Sequence, residues 1–510
     1  MRDGKSLYRY NIGTLPPAFL ISQKSKVFAS FPPGEAFADI AFSIPLCYDN
    51  KNNANEESAM KLFVKDKAFY RSFFSMAAVI AMQNLITYAV NLADNVMIGG
   101  YSQDALSGVA MVNQIQFLLQ MVVMGIGNGM VVLGAQYWGK RQSDPIRRIT
   151  SIGMVLALIA SAAMMAVVYF FPAQTLSILT NEPAVIAEGI KYIRIICFSY
   201  VLFGVTNTLL ASLRSVETVR IGFAVTLTAL FVNVFLNYGL IYGQLGFPEM
   251  GVEGAALATL ISRIVEFVIV VIYALFLDKK VRWKIKDMLH LDKALFRDYI
   301  RVGLPLILSS SIWGLATSAQ TAILGRLGSD TIAANSIATT IFQVVSVVGY
   351  GSANASGVII GKTVGEGDIP RVKAYNKTLQ IIYLIIGVAT GAVLFSSQNF
   401  IISLYSITPE TDTLARQFIG ILSITVIGTS YQVACLTGIV TGGGDTRFVL
   451  INDLIHQWLI VIPASFLSAF VFHAPIWVTF LCLKSDQILK CFVAVVKVNR
   501  YRWIRVLTRE

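Results

Sequence analysis

Apolar runs without Asp, Glu, Lys or Arg alternate with short polar turns along most of the chain. In the first half they cover residues 72–93, 105–139, 149–181, 195–213 and 221–248, and in the second 302–325, 331–361, 378–409, 417–444 and 454–483. A helix of about 20 residues crosses a bilayer, so each run predicts one span, the last with room for a loop at His473 to Pro475. Two more apolar stretches, 254–277 and 475–496, carry internal charges: Arg263 and Glu266 in one, Lys484, Asp486 and Lys490 in the other. They complete six spans per half. The pattern predicts an all-α polytopic membrane protein with twelve transmembrane helices.

The halves repeat each other. A shift of 226 residues pairs Gly99 with Gly325, Asp104 with Asp330, Ile115 with Ile341, Gly125 with Gly351, Asn128 with Asn354 and Gly139 with Gly365. Six spans per repeat bring both halves in from the same side, so they are parallel repeats about an axis along the membrane normal. Two pseudo-symmetric six-helix bundles are expected: a lobe at 60–278, a linker at 279–298, a lobe at 299–498 and a basic tail at 499–510. The clustered Gly125, Gly127, Gly129, Gly349 and Gly351, with Ala355, serve either close helix packing in lipid or bending. Residues 1–59 lie outside this plan. Pro16, Pro17, Pro32 and Pro33 interrupt them, and they read either as a disordered tail or as sequence upstream of a start at Met60.

Composition narrows the class. Only 14% of the 510 residues are charged, against about a quarter in soluble domains, which excludes a water-soluble enzyme. The net charge of +12 is topological. Lys140, Arg141, Arg147 and Arg148, then Arg214 and Arg220, Lys279 to Arg301, Lys362 to Lys377, and Arg447 all fall in alternate loops, and basic loops stay inside. Both termini are therefore expected in the cytoplasm, with no role for nucleic acid. The five cysteines mostly sit in apolar runs and read as packing residues. GxxxxGK, HExxH, GxSxG and CxxC are absent, and the GGGD at Gly442 to Asp445 reads as a flexible turn. With no nucleotide site, cofactor or structural metal expected, any transport has to draw on an ion gradient.

Polar residues inside spans are costly and point to function. Asp94, five residues before Gly99, lies about 8 Å below the outer end of span 1. Asn233 and Asn237 share one face of span 5, and Thr259 lies about 10 Å down span 6. At matched depth these four make an oxygen-rich pocket for a proton or a small cation. The alternatives are a solvent-facing helix end for Asp94 and interhelical bonding for the asparagines. Arg263 with Glu266, and Asp486 with Lys490, are spaced to form intramembrane ion pairs, structural or cavity-lining. Trp313, Tyr350, Tyr431 and Trp458 either wall a cavity for flat cationic substrates or face lipid.

NLADNVMIGG (91–100), AQYWGK (135–140), LNYGLIYGQLGFPEMGVEGAALATLISR (236–263), GRLGSDTIAA (325–334) and GGGDTRF (442–448) occur in this order in the 6 + 6 layout. From residue 61 to 505 the chain resembles the multidrug and toxic compound extrusion (MATE) family. The resemblance implies a monomeric antiporter of the bacterial plasma membrane that exports small organic cations in exchange for H+ or Na+, its two lobes alternating about a central cavity. It makes Asp94 the essential aspartate of span 1 and Asn233, Asn237 and Thr259 its partners. Some members carry an aspartate where this chain has Asn237. Branches with a second-lobe acidic site place its carboxylates near what are here Trp313 and Ser430, so the resemblance implies ion coupling in the first lobe alone. A lipid-linked precursor flippase of the same superfamily is the rival reading, with a non-transporting scaffold or channel as the third.

Overall fold

The computed structural model describes residues 64–509 other than 290, 291, 404 and 406; the expectations for 1–59 fall outside the described residues. Among these there are helices and no strands. The first lobe contains α1 (Lys67–Tyr101), α2 (Gln103–Gly139), α3 (Ser143–Phe170), the short α4 (Pro172–Ser177), α5 (Pro183–Ile196), α6 (Ser199–Ser215), α7 (Arg220–Tyr242) and α8 (Gly251–Leu277). The second contains α9 (Lys293–Gly325), α10 (Ser329–Glu366), α11 (Ile369–Ile402), α12 (Pro409–Val440), α13 (Thr446–Val471), α14 (Ile476–Lys484) and α15 (Asp486–Asn499).

Ten of the described helices are long and apolar enough to cross a membrane, and α5 with α6, bent by 53°, makes an eleventh. The charge-free run at 195–213 marked only the C-terminal part of that span, because α5 starts at Pro183 and carries Glu188, Lys191 and Arg194. The twelfth is the broken pair α14 and α15, of 9 and 14 residues, which meet at Ser485. Together they reach about 35 Å at 1.5 Å per residue, and the charges beside the break separate them from a plain apolar span.

The 226-residue step holds in three dimensions. It separates the starts of α1 and α9, α2 and α10, α3 and α11, α5 and α12, and α7 and α13. It also separates the caps Asp66 and Asp292, whose carboxylates accept from the second and third N–H groups beyond them. Such caps satisfy donors that have no intrahelical partner.

The lobes exchange their first helices. Phe69, Phe73 and Ile80 at the start of α1 pack with Val358, Tyr375, Leu379, Ile439 and Trp503 of the second lobe, and Phe69 stacks on Tyr375 at 4.2 Å between ring centroids. Leu295, Tyr299, Val302 and Leu306 of α9 pack with Ile126, Met130 and Ile149 of the first, where the Tyr299 hydroxyl donates to the Ile126 carbonyl at 2.7 Å. The glycines serve this contact, with Gly125 against the backbone of Ile307 and Gly351 against the Ala77 carbonyl.

The face at which α1 begins and α15 ends is tied across the lobes. Lys362 donates to Glu217 at 2.9 Å, and Arg214 to Asn354 at 3.1 Å. The basic tail runs over the same face. Trp503 is fully buried, the Arg505 N–H donates to the Gly443 carbonyl, and Gln136 of α2 donates to the Arg505 carbonyl while accepting from the Leu507 N–H. Arg509 ends on Asp298 at 2.6 Å. The Gly442–Asp445 turn, expected to be flexible, is packed: Gly443 lies under Trp503, and Asp445 is buried between Lys497 and Arg505.

Candidate functional site

Asp94, Asn233, Asn237 and Thr259 come together in the first lobe. Asp94 projects from the C-terminal part of α1 and is partly buried, whereas both asparagines on α7 are buried. The α1–α7 contact is fixed nearby by the Tyr242 hydroxyl, which donates to the Met97 carbonyl at 2.6 Å. Asn237 Nδ2 donates to Asp94 Oδ1 at 2.5 Å and to Asn233 Oδ1 at 3.1 Å, and Asn233 Nδ2 donates to Thr259 Oγ1 at 3.3 Å. The four residues form one hydrogen-bonded row in which Asn237 donates both ways, to the Asp94 carboxylate and to Asn233, and Asn233 passes the donation on to Thr259. Asn237 Oδ1 is buried without a hydrogen-bond partner. An unpaired buried acceptor costs about 1–3 kcal/mol, so its presence next to a carboxylate leaves a place for a proton donor or a cation. Among the described residues no group of three or more His, Cys, Asp or Glu could hold a metal ion, and a cation here would rely on a single carboxylate with neutral oxygens.

Arg263 and Glu266 pair at 2.7 Å on α8. The guanidinium also lies over the Phe203 ring at 5.4 Å, and its charge acts on Asp94 and Tyr192. Tyr192 of α5 is buried and reaches Thr259. The sequence did not mark it because it stands between Lys191 and Arg194, just before the charge-free run that begins at 195.

In the second lobe Asp486 and Lys490 are both buried, yet the nearer partner of Lys490 is Asp453 at 2.9 Å, with Asp486 at 3.6 Å. Asp453 escaped the sequence reading because it stands one residue before the charge-free run that begins at 454. The four aromatic candidates are dispersed over α9, α10, α12 and α13. Trp313 and Trp458 are exposed, and Trp313 tilts against Phe117 of α2 at 6.4 Å. Tyr350 borders a narrow cleft with Ser346, Thr429 and Ser430. The Tyr431 hydroxyl donates to Gln380 at 2.8 Å. No ring pair joins the four among the described residues.

Comparison with known proteins gives the same architecture. The MatE family profile matches the chain twice, over residues 80–239 and 305–467, one match in each lobe. The chain is 23% identical over 425 residues to the uncharacterized transporter YisQ of Bacillus subtilis, covering 82% of this chain and 91% of that one. It is 24% identical over 431 residues to the probable multidrug resistance protein NorM of Thermotoga maritima, covering 84% and 92%. Among solved structures, the outward-facing conformation of a multidrug resistance MATE family transporter of the MOP superfamily superposes with a TM-score of 0.76 at 18% identity, over 86% of this chain and 99% of that one. Twofold repetition, helical architecture and a profile spanning most of both lobes establish that the chain belongs to the MatE family, as a polytopic membrane transporter and not an enzyme.

Proposed function

We propose that this transporter is a cation-coupled antiporter that exports small organic, positively charged molecules across the bacterial plasma membrane, with H+ or Na+ as the coupling ion. It works as a lipid-embedded monomer with both termini in the cytoplasm. The observation that carries the reading is the Asn237 amide, which donates to Asp94 while its own Oδ1 is left unpaired.

Ionised Asp94 can only accept, and Asn237 meets it with an N–H. A protonated Asp94 has an O–H to donate, and the free Asn237 oxygen can take it once the amide turns. A bound cation would engage the same two oxygens. Loading Asp94 therefore rewrites its contact with α7, and α1 carries the change across the molecule because its other end is packed in the second lobe. Two packings of α1 that differ in affinity for ion and substrate are sufficient for exchange. The ties between Glu217 and Lys362 and between Arg214 and Asn354 close the terminal face, which corresponds to an outward-facing member of the cycle under the proposed orientation.

A flippase for lipid diphosphates would need unpaired basic groups in its cavity, and Arg263 is engaged by Glu266. The exporter reading is tested with Asp94→Asn in proteoliposomes under an imposed pH or Na+ gradient. Gradient-driven uptake of a fluorescent organic cation should be lost while gradient-free counterflow remains. Undiminished gradient-driven uptake by the variant would defeat the reading, and a protein without counterflow of any organic cation would be a scaffold or channel.

A further inference from the structure

The segment that follows α15 crosses from one lobe to the other. Tyr501, Trp503 and Ile504 pack in the second-lobe cluster with Val440, Val449 and Val498. Arg505 is still held by that lobe, its N–H donating to the Gly443 carbonyl at 2.8 Å and its guanidinium pairing with Asp445 at 3.2 Å. Beyond that N–H the partners change. Gln136 Nε2 of α2 donates to the Arg505 carbonyl at 3.1 Å, and the Leu507 N–H donates to Gln136 Oε1 at 2.8 Å. Leu507 packs against the first-lobe cluster. Lys140 donates to the Arg509 carbonyl at 3.2 Å, the Arg509 N–H donates to the Tyr137 hydroxyl at 3.3 Å, and the Arg509 guanidinium pairs with Asp298 at the start of α9.

The internal repeat does not require this crossing. After the sixth span of the first lobe the chain also buries a tryptophan, Trp283. Its indole donates to Ser151 of α3 at 3.0 Å, and the neighbouring Lys280 donates to the Val216 carbonyl at 2.6 Å. Both partners belong to the lobe that the segment has just left, whereas the tail leaves its own. The residue that receives the tail is suited to it. Gln136 is fully buried, and a buried carboxamide needs both its donor and its acceptor engaged. The main chain at 505 and 507 engages both. The same Nε2 lies 3.5 Å from the Gly442 carbonyl, so the amide is turned towards the second lobe, and the Gln136 carbonyl lies against Gly365. The tail is therefore seated beside the backbone contact between the lobes.

We propose that residues 505–509 are a latch on the transport cycle: docked on Gln136 they hold the lobes together at the terminal face, and they leave it when the lobes part there. The latch rests on the antiport reading only for the premise that the lobes part at this face. Its two ends differ in a way that decides which one lets go. Trp503 is sealed in the core, whereas Arg505, Val506 and Arg509 are exposed. Hydrogen bonds at a wet edge exchange for bonds to water at small net cost, and segments with few buried contacts open first. The join therefore breaks at the Arg505 carbonyl, and the freed end stays tethered to the second lobe by Trp503. Water admitted between the lobes then satisfies the Gln136 amide. Because these bonds form only while the face is closed, they stabilise that arrangement over the open one and shift the population towards it.

The test is the distance across the terminal face in the lipid-reconstituted protein, between spin labels on Asp144 of α3 and Ala374 of α11, exposed positions on different lobes. The labels are carried by introduced cysteines after replacement of the native ones. Ending the chain after Ile504, which keeps Trp503, should raise the ratio of separated to closed lobes about ten-fold, the effect of losing one or two hydrogen bonds of ordinary strength. Gln136→Leu leaves the tail in place without its receiver and should shift the ratio the same way, which keeps the test valid if the shortened chain does not fold. A folded variant of either kind with unchanged distances overturns the proposal. So does a lowered melting temperature with unchanged distances, since the tail would then only brace the fold. The measurement needs neither substrate nor gradient, so the two readings fail separately. Normal gradient-driven uptake by Asp94→Asn defeats the antiport reading alone, and unchanged distances in a protein whose uptake depends on Asp94 refute the latch alone.

Discussion

Gly139 of α2 lies directly against the Lys362 carbonyl of α10, with no space for a side chain between them. Gly365 makes the matching contact with the Gln136 carbonyl, and these two residues stand 226 apart. The two-fold relation of the lobes thus passes through a backbone contact at the terminal face. Gly139→Ala or Gly365→Ala should force the helices apart at about 1–3 kcal/mol, the usual range for overpacking. Distances between spin labels on Arg141 and Glu366 should lengthen in either variant, and unchanged distances would show that the contact does not hold this face shut.

Arg263 and Glu266 make a pair that is easily unbalanced, since Glu266 is buried and Arg263 is half-buried. Removing one partner of such a pair typically costs about 3–5 kcal/mol, whereas replacing both with apolar groups is close to neutral. Glu266→Gln should therefore lower the melting temperature in detergent more than Arg263→Met/Glu266→Leu does. It should also impair gradient-driven transport, because the freed guanidinium can turn to Asp94.

Asn237→Ala removes the side-chain amide that donates to Asp94 while keeping the carboxylate. A hydrogen bond to a charged group contributes about 1.5–3 kcal/mol, or roughly ten- to a hundred-fold in an equilibrium constant. The gradient required for half-maximal export should change by a factor in that range, read from transport at graded pH or Na+. Asn237→Asp adds a second carboxylate and should raise the dependence on Na+.

Trp503 anchors the tail in the core of the second lobe, its indole donating to the Val498 carbonyl at 2.9 Å. Truncating a buried tryptophan to alanine costs about 3–5 kcal/mol. Trp503→Ala should lower thermal stability by that order and expose the bonds of the Arg500–Arg509 stretch to exchange, detectable as faster deuterium uptake at residues 500–509 and at the facing Gln136.

At the start of α1, the Tyr375 hydroxyl above all, with the Phe69 and Ala68 amides and Arg371, holds Asp66 below the ordinary carboxylate range despite opposing desolvation. A lowered folded-state value means that this cap contributes fully above the ordinary value near 4 and is lost as pH falls through the lower folded value. Amide exchange at Ala68 and Phe69, corrected for intrinsic rates, should be faster in Asp66→Asn than in the unsubstituted protein at pH 7. The two should converge in strong acid.

How far the sequence reached can be judged at particular residues. Asp94, Asn233, Asn237 and Thr259 were singled out by depth and helical face, and they bond one another in the fold. Asp453 was missed because a charge at the end of an apolar run looks like the beginning of a loop. Lys490 was paired with the residue four positions before it, while the nearer partner came from a different helix.

The sequence alone determined the spans and their repetition. Lipid leaves a crossing segment few options: a long apolar stretch whose backbone bonds are satisfied within the helix. That is a local demand, and it is written locally. The tertiary structure decided the bend between α5 and α6, the exchange of α1 and α9 between lobes, the docking of the tail and the partners of each buried charge. These depend on how far one helix is rotated and slid against another, and interhelical packing fixes that only once every neighbour is in place.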